Sequence, residues 1–458
     1  MLLGKVLERF ADQAPMCVAS RALMEVALAP QALDALFHQA ADRQYERELL
    51  FSTCVDLMGL VVSRTHKSVN AAYQASPEEV GVSLKALYDK LAGIEPQTSA
   101  MLVRHTAQTL APILREMGGT VPKLVPGFRV KILDGNHLGK TQRRLKPLRN
   151  VAAGPLPGQS LAVLDPELGL VVDVVCCEDG HAQERSYTDQ ILSQTQSRDV
   201  WIADRNFCTT GILFAIAARR GKFLIRQHAS TLTYEPAGKP RSVGRCPTGR
   251  LTEQTLLLSH PDGGTLSVRR ITLTLDQPTR DGEREIHLLT TLTQKQASAE
   301  RVADLYLSRW KIEHVFQTLT CVLRCEVNTL GYPKAALFAF CVAVVTFNLY
   351  ATIKGALRAE HGVETVEQEV SDHFVADEIA GTYRGMMIAV PERHWGPFAQ
   401  ADAQSLAAFL RDLAARADLR RYQKSQRGPK KPKPRRTRFA KAKHIATARL
   451  LAEEKKKT

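Results

Sequence analysis

Tyr306-Leu-Ser-Arg309-Trp-Lys-Ile-Glu313 lies inside a run from Ser298 to Arg324 that contains neither Gly nor Pro. Such a run predicts a helix. Leu305, Ile312, Phe316, Leu319 and Leu323 recur at helical spacing and make one apolar stripe. Tyr306, Arg309 and Glu313 make a second stripe, about 100° round the axis. One face therefore packs into a core, and the adjoining face presents a phenol, a guanidinium and a carboxylate together. Taken alone, Arg309 and Glu313 also read as an ordinary i,i+4 surface pair worth about 0.2–0.5 kcal/mol. The segments that accompany this helix decide between the two readings.

The chain has 458 residues, enough for two to four domains, and at 44% apolar and 24% charged residues it has a globular composition. No basic stretch followed by an apolar run opens it, so no secretory signal is expected. Nine cysteines show no CxxC pair, which points to a reduced, cytoplasmic protein. The net charge of +15 is concentrated at one end. From Arg421 to Thr458 there are 15 Lys and Arg against Glu453 and Glu454, giving 15 − 2 = +13 there and about +2 elsewhere. Such a tail fits a polyanion, most simply nucleic acid, or else a solubilising end.

Residues 1–120 read as helical. Arg21–Gln39 and Arg43–Ser63 carry apolar residues three and four apart. Ser83–Leu91, with Lys85 and Lys90, suggests either the recognition helix of a helix-turn-helix or one member of a plain bundle. Gly118-Gly119 and Pro122 mark a boundary. Over 125–228 the pattern alternates strand and helix. Phe128–Asp134 is a strand ending on Asp134-Gly135, followed by Lys140, Arg143, Arg144 and Lys146. Ser160–Leu164 and Gly169–Cys177 complete a three-stranded meander. Ala182–Leu192 reads as helix, Val200–Ala203 as a short strand before Asp204, Thr209–Arg219 as helix and Lys222–Gln227 as strand. Residues 229–297 alternate Thr, Leu and Val between turn signals at Pro236-Ala-Gly238, Pro261–Gly264 and Arg280–Gly282, and read as an all-β insertion. The segment 298–360 holds the opening helix and an apolar run, Ala335–Val345. That run falls short of the roughly 18 apolar residues a membrane span needs, so a buried core helix is expected. Helices are expected at Val366–Ala380 and Ala401–Ala417 within 361–425. A Pro- and Lys-rich basic tail, 426–458, ends in a short helix at His444–Glu453.

Asp134 and Asp204 each close an apolar strand, and Glu313 lies on a helix. Adjacent parallel strands would bring the two aspartates to one sheet edge, and the Leu305/Ile312/Phe316 stripe would lay Glu313 beside them. Converging carboxylates repel unless cations lie between them, and hard oxygen donors select Mg²⁺. Two such ions activate the attacking oxygen and stabilise the leaving one in phosphodiester chemistry. The competing reading, strand-end aspartates as simple turn starters, holds for either residue alone.

Ile132-Leu-Asp134-Gly-Asn, Ala203-Asp204-Arg-Asn-Phe207 and Tyr306-Leu-Ser-Arg309-Trp-Lys-Ile-Glu313 together resemble the DDE transposases of bacterial insertion sequences, in the group (insertion-sequence family four) with a Tyr-Arg-Glu-Lys signature. The resemblance spans about Phe128 to Leu357. It implies an RNase H-like catalytic core with an all-β insertion, preceded by a helical N-terminal domain and followed by a helical, basic C-terminal region. It implies that Asp134, Asp204 and Glu313 bind two Mg²⁺ ions, with Mn²⁺ able to substitute. Tyr306 and Arg309 would hold DNA phosphates, with Arg205 and Lys140 as further DNA contacts. The implied partners are double-stranded DNA, at terminal inverted repeats and target sites, and a second copy in a homodimer on DNA, with no membrane. The implied setting is the bacterial cytoplasm. The signature Lys falls seven residues after the Glu, where this chain has Thr320; Arg324, one turn further along the stripe, is the candidate substitute. Cys176, Cys177 and His181, and Cys246 with His260, lack zinc spacing and read as structural. Trp201 and Trp310 read as packing near the site.

Overall fold

The computed structural model describes residues 4–44, 48–139, 154–228, 232–279, 282–425 and 444–457. Lys140, the basic residues that follow it and most of the basic tail lie outside the described residues. The alternating stretch before Asp134 forms β1 (Arg129–Leu138), which runs on past the expected turn at Asp134-Gly135. A short β2 (Gly154–Leu156) precedes β3 (Gly158–Asp165) and β4 (Leu170–Cys177). β1, β3 and β4 are antiparallel neighbours, as the meander predicts. Asp165 turns the chain between β3 and β4 by accepting from the N–H groups of Glu167 and Leu168. Next come β5 (Asp199–Ala203) and β6 (Lys222–Arg226), with β5 parallel to β1 and β6 parallel to β5. All five residues of β5 are buried, as expected of a short apolar strand covered on both faces. The order β4-β3-β1-β5-β6 fits an RNase H-like core.

The insertion contributes β7 (Tyr234–Cys246), β8 (Gly249–Ser259), β9 (Thr265–Leu275) and β10 (Glu285–Thr290). It does not form a sheet of its own. β10 pairs antiparallel with β6, Leu288 opposite Arg226, so one nine-stranded sheet runs from β4 to β7. β7 replaces the turn expected at Pro236-Ala-Gly238. It is a mostly exposed edge strand whose register against β8 shifts twice, and an edge with bulges tolerates prolines that a central strand would not.

Among the described residues, eight helices precede the sheet: α1 (Lys5–Gln13), α2 (Pro15–Ala27), α3 (Pro30–Ala40), α4 (Phe51–Val62), α5 (Val69–Ala75), α6 (Pro77–Val80), α7 (Leu84–Gly93) and α8 (Pro96–Glu116). The single helix read over Arg21–Gln39 is two, because Pro30 opens α3. The helix read from Arg43 begins only at Phe51. Ser83 caps α7 by accepting from Ala86 N–H, and Leu87 and Leu91 bury one face. The two lysines suggested for groove contact are engaged within the chain: Lys85 pairs with Asp89, and the Lys90 ammonium stands 4.2 Å over the Phe37 ring.

Between the strands lie α9 (Thr188–Leu192) and α10 (Thr210–Ala218). After the insertion come α11 (Ala299–Leu307), α12 (Trp310–Cys321) and α13 (Pro333–His361). Among the described residues, α13 is long and apolar enough to cross a membrane by length and composition, but 89% of its most apolar window is buried inside the fold. It packs against α8, α4 and β4. Asn348 on its buried face donates to Val171 O and accepts from Val171 N, both at 2.9 Å. That satisfies both backbone groups of the buried Val171 on the edge strand β4. The chain ends through α14 (Val363–Glu369), α15 (Asp372–Ala389), α16 (Gly396–Ala399), α17 (Ala403–Arg416), β11 (His444–Ala446) and α18 (Thr447–Lys457). β11 pairs parallel with β2 and ties the far end of the chain to the core.

Candidate active site

β1 and β5 are adjacent and parallel, and Leu133 lies opposite Ala203. The next residue on each strand is an aspartate, so the register alone sets Asp134 and Asp204 side by side where β5 ends. A third anchor secures this pair of strands at their other end: Asp199, fully buried, accepts from Arg129 Nε at 2.8 Å and Lys131 Nζ at 3.0 Å. Asp204 caps the 3-10 turn Arg205–Phe207, its Oδ1 accepting from Asn206 N–H at 2.7 Å. Asp134 Oδ1 accepts from Gly135 N–H at 2.9 Å. Burial, then the nearby charge of Asp204, push the Asp134 carboxyl up to about 7 from its ordinary 3.8, with Arg309 opposing them.

The helix expected over Ser298–Arg324 is broken. Ser308 Oγ donates to Leu305 O at 2.6 Å, and Ser308, Arg309, Lys311 and Ile312 all bond three residues back, not four. A serine hydroxyl competing for a helix carbonyl bends the axis, and the tighter bonds mark a 3-10 junction. Arg309 therefore sits at the hinge between α11 and α12, with Glu313 in the first turn of α12, where a carboxylate is favoured. Leu305, Ile312, Leu319 and Leu323 still bury together, and Phe316 packs at their edge.

The break aims Arg309 at both acids. Its Nη1 lies 3.2 Å from Asp134 Oδ2 and its Nη2 lies 2.8 Å from Glu313 Oε1. Its Nε is buried without an acceptor among the described residues. Tyr306 is also within hydrogen-bonding reach of Arg309, and burial pushes its phenol up to about 12, with Asp204 adding to the effect. Asp134, Asp204, Tyr306, Arg309 and Glu313 thus share one neighbourhood. Among the described residues no three His, Cys, Asp or Glu side chains are grouped to hold a metal ion as they stand; Arg309 occupies the space between Asp134 and Glu313.

The other candidates are placed differently. Arg205 is tied to Glu283 at 3.1 Å, and Arg226 bonds the same carboxylate at 2.5 Å. A groove of about 360 Å³ is lined there by Arg205, Arg226, Arg270 and His287. Arg324 does not extend the stripe, because α12 ends at Cys321. Its guanidinium lies on the carbonyl of Lys67 at 2.5 Å. Thr320 Oγ1 donates back to Phe316 O. Trp201 is buried, but Trp310 is 57% exposed, lying 4.7 Å from the Arg309 guanidinium instead of in the core. Cys176 and Cys341 face each other at 3.4 Å as free thiols. A cavity of about 760 Å³ behind α12 is lined by Trp310, Lys311, His314 and Lys354, and by none of the three candidate carboxylates.

Sequence reasoning missed Glu184. Its Oε2 accepts from Asn206 Nδ2 at 2.8 Å, and its Oε1 lies 3.9 Å from His137 Nδ1. Its charge is one of those raising Asp134. The helix pattern over Ala182–Leu192 marks only the element that carries it.

Residues 159–346 match the family described as the transposase DDE domain. The match covers less than half of the chain; Asp204 and Glu313 fall inside it and Asp134 lies before it. This likeness supports a DDE transposase. A cryo-EM structure of the piggyBac transposase synaptic complex with hairpin DNA is similar at 11% identity and a TM-score of 0.34, over 86% of this chain and 83% of that one. No curated protein matches the chain.

Proposed function

We propose that this chain is a DDE transposase of the insertion-sequence family four type, which cuts DNA at its element's terminal inverted repeats and joins the free 3′ ends to target DNA. The observation that carries the reading is the Leu133–Ala203 register, which brings Asp134 and Asp204 together beneath the Arg309–Glu313 pair. The donor set fits divalent cations. Asp134 and Asp204 are oxygen donors, and burial together with the charge of Asp204 already raises Asp134; Glu313 is joined to Asp134 through Arg309. Asp134, Asp204 and Glu313 would hold Mg²⁺, or Mn²⁺ in its place. When bound, the ions would supply charge neutralisation at the scissile phosphate and a lowered pKa for the attacking oxygen.

The remaining work falls to the chain. Arg309 holds Asp134 and Glu313 together in the absence of DNA. Its unpartnered Nε and its two bonded nitrogens would donate to phosphate oxygens, which would draw it from between the carboxylates. The Tyr306 phenol, pushed up to about 12 chiefly by burial, is protonated at neutral pH and would donate a hydrogen bond to a phosphate oxygen. Arg205 from the turn after β5, Arg226 from the end of β6 and Arg270 from the middle of β9 would line the path of the backbone, with salt-sensitive affinity. Water serves as the first nucleophile and the 3′-hydroxyl as the second, by cut-and-paste within a homodimer bound to two DNA ends. The test is strand cleavage on the element's own ends with Mg²⁺. Wild type nicks at the repeat boundary and Asp204→Ala does not; robust cutting by Asp204→Ala would remove the metal-ligand role.

A second reading is a DNA-binding descendant that no longer cuts. Thr320 in place of the signature Lys favours it, because Arg324, the candidate substitute, lies beyond the end of α12 and is engaged with Lys67 O. It predicts DNA retention with no Mg²⁺-dependent nicking by the wild type.

A further inference from the structure

Glu184 takes no part in the chemistry proposed above, yet it is bonded into the turn that carries one of its acids. Asn206 is held at both ends. Its side chain donates to Glu184 Oε2 at 2.8 Å, and its backbone N–H donates to Asp204 Oδ1 at 2.7 Å. The Asp204 carboxylate accepts no other hydrogen bond among the described residues, so its aim follows where Asn206 is pinned. On its other side the Glu184 carboxylate rests on the bare Cα of Gly135, the residue after Asp134. A Cβ at Gly135 would overlap Glu184 Oε1 and Cδ. Gly135 has an ordinary strand conformation, so its lack of a side chain answers this close approach and not a backbone requirement. The His137 ring, 3.9 Å from Oε1, is the cationic partner that faces the same carboxylate when protonated. Glu184 opens the 3-10 turn Glu184–Tyr187, and its side chain is only 16% exposed.

We propose that Glu184 is a positioning residue for the aspartate pair: seated on Gly135, it fixes Asn206, and through Asn206 it sets how tightly Asp204 and Asp134 take a divalent cation. The inference rests on the reading of those aspartates as metal ligands. Partners that orient a ligating carboxylate typically change metal affinity by about 10–100-fold when removed. The three substitutions separate the parts of the argument. Glu184→Ala removes the acceptor for Asn206. Glu184→Gln keeps an oxygen acceptor there without the charge. Gly135→Ala keeps the glutamate and displaces its carboxylate, which is the flexible end of a side chain, so the strand itself need not move.

The experiment is calorimetric titration of Mn²⁺ into the full-length protein without DNA, with thermal melts in chelator as the folding control. Wild type binds; Glu184→Ala and Gly135→Ala each bind about ten-fold or more weakly; Glu184→Gln recovers most of the affinity. The proposal is overturned if Glu184→Ala and Gly135→Ala bind like wild type while Asp204→Asn does not, and the metal reading then stands without it. If wild type itself binds no Mn²⁺, the metal reading fails, and this inference fails with it. A Glu184→Ala variant that melts early leaves Gly135→Ala to decide.

Discussion

Replacing Asp134 with Asn should raise the stability of the metal-free protein at alkaline pH and leave it unchanged in acid. Burial first, and the charge of Asp204 second, bring the Asp134 carboxyl from 3.8 to about 7. At about 1.36 kcal/mol for each pKa unit, ionising it in the fold costs about 4 kcal/mol more than in the unfolded chain. The sign follows from proton binding: the folded state holds this proton more tightly than the unfolded state does. Its contribution is therefore fully present below pH 3.8 and is lost as the pH rises to about 7. Asparagine has the shape of the protonated acid and never ionises. The two proteins should match near pH 4, and at pH 8 the variant should be more stable by up to about 4 kcal/mol. Urea unfolding in chelator at both pH values measures this. Mg²⁺ at about a hundred times its dissociation constant should then return about 2.7 kcal/mol to the wild type and nothing to the variant. Equal stabilities of wild type and Asp134→Asn at pH 8 in chelator would refute the argument, because Asp134 would then not be crowded by burial and a second acid.

Three further substitutions probe the scaffold under the site. Asp199→Asn leaves Lys131 and Arg129 without their buried partner, and should cost about 3 kcal/mol, at the low end of the range for a broken buried pair, by thermal or urea unfolding. Asn348→Leu orphans the N–H and C=O of Val171, and at about 1–3 kcal/mol for each buried group should cost about 2–6 kcal/mol; an unchanged melting temperature would mean that β4 finds other partners. Although burial pushes Asp372 upward, the hydrogen bond from His314 and the charge of Lys354 hold it down at about 2. That contribution is fully present above pH 3.8 and is lost as the pH falls through about 2. Discounted for partial exposure, Asp372→Asn should cost about 1–2 kcal/mol at pH 7 and nothing near pH 2.

Much of the core was legible because local pattern and tertiary role coincide there. The alternation before Asp134, the apolar runs at 160–164 and 169–177, and the short run before Asp204 are strands in the structure because buried strands demand those residues. Two such strands in parallel register set Asp134, within β1, beside Asp204, just past the end of β5. The Ser298–Arg324 segment shows where local reading stops. It contains no Gly or Pro, so nothing in its composition announces the break; the Ser308 hydroxyl makes it by taking the Leu305 carbonyl, and that break is what turns Arg309 toward Asp134. Arg324 was misplaced for the same reason, since a helix that ends at Cys321 carries no stripe beyond it.

What the amino-acid order determined by itself is most of the core strands and the aspartates that accompany β1 and β5, because periodicity and turn chemistry act over a few residues. What only the tertiary structure decided is which partners those acids meet. The strands of the insertion could have closed on themselves, yet β10 extends the core sheet because β6 offers it a free edge. Glu184 reaches Asn206 only because Gly135, on a strand distant in sequence, leaves room above its Cα. Contacts of that kind depend on the absence of an atom on one segment and the reach of a side chain on another, and no window along the chain contains both.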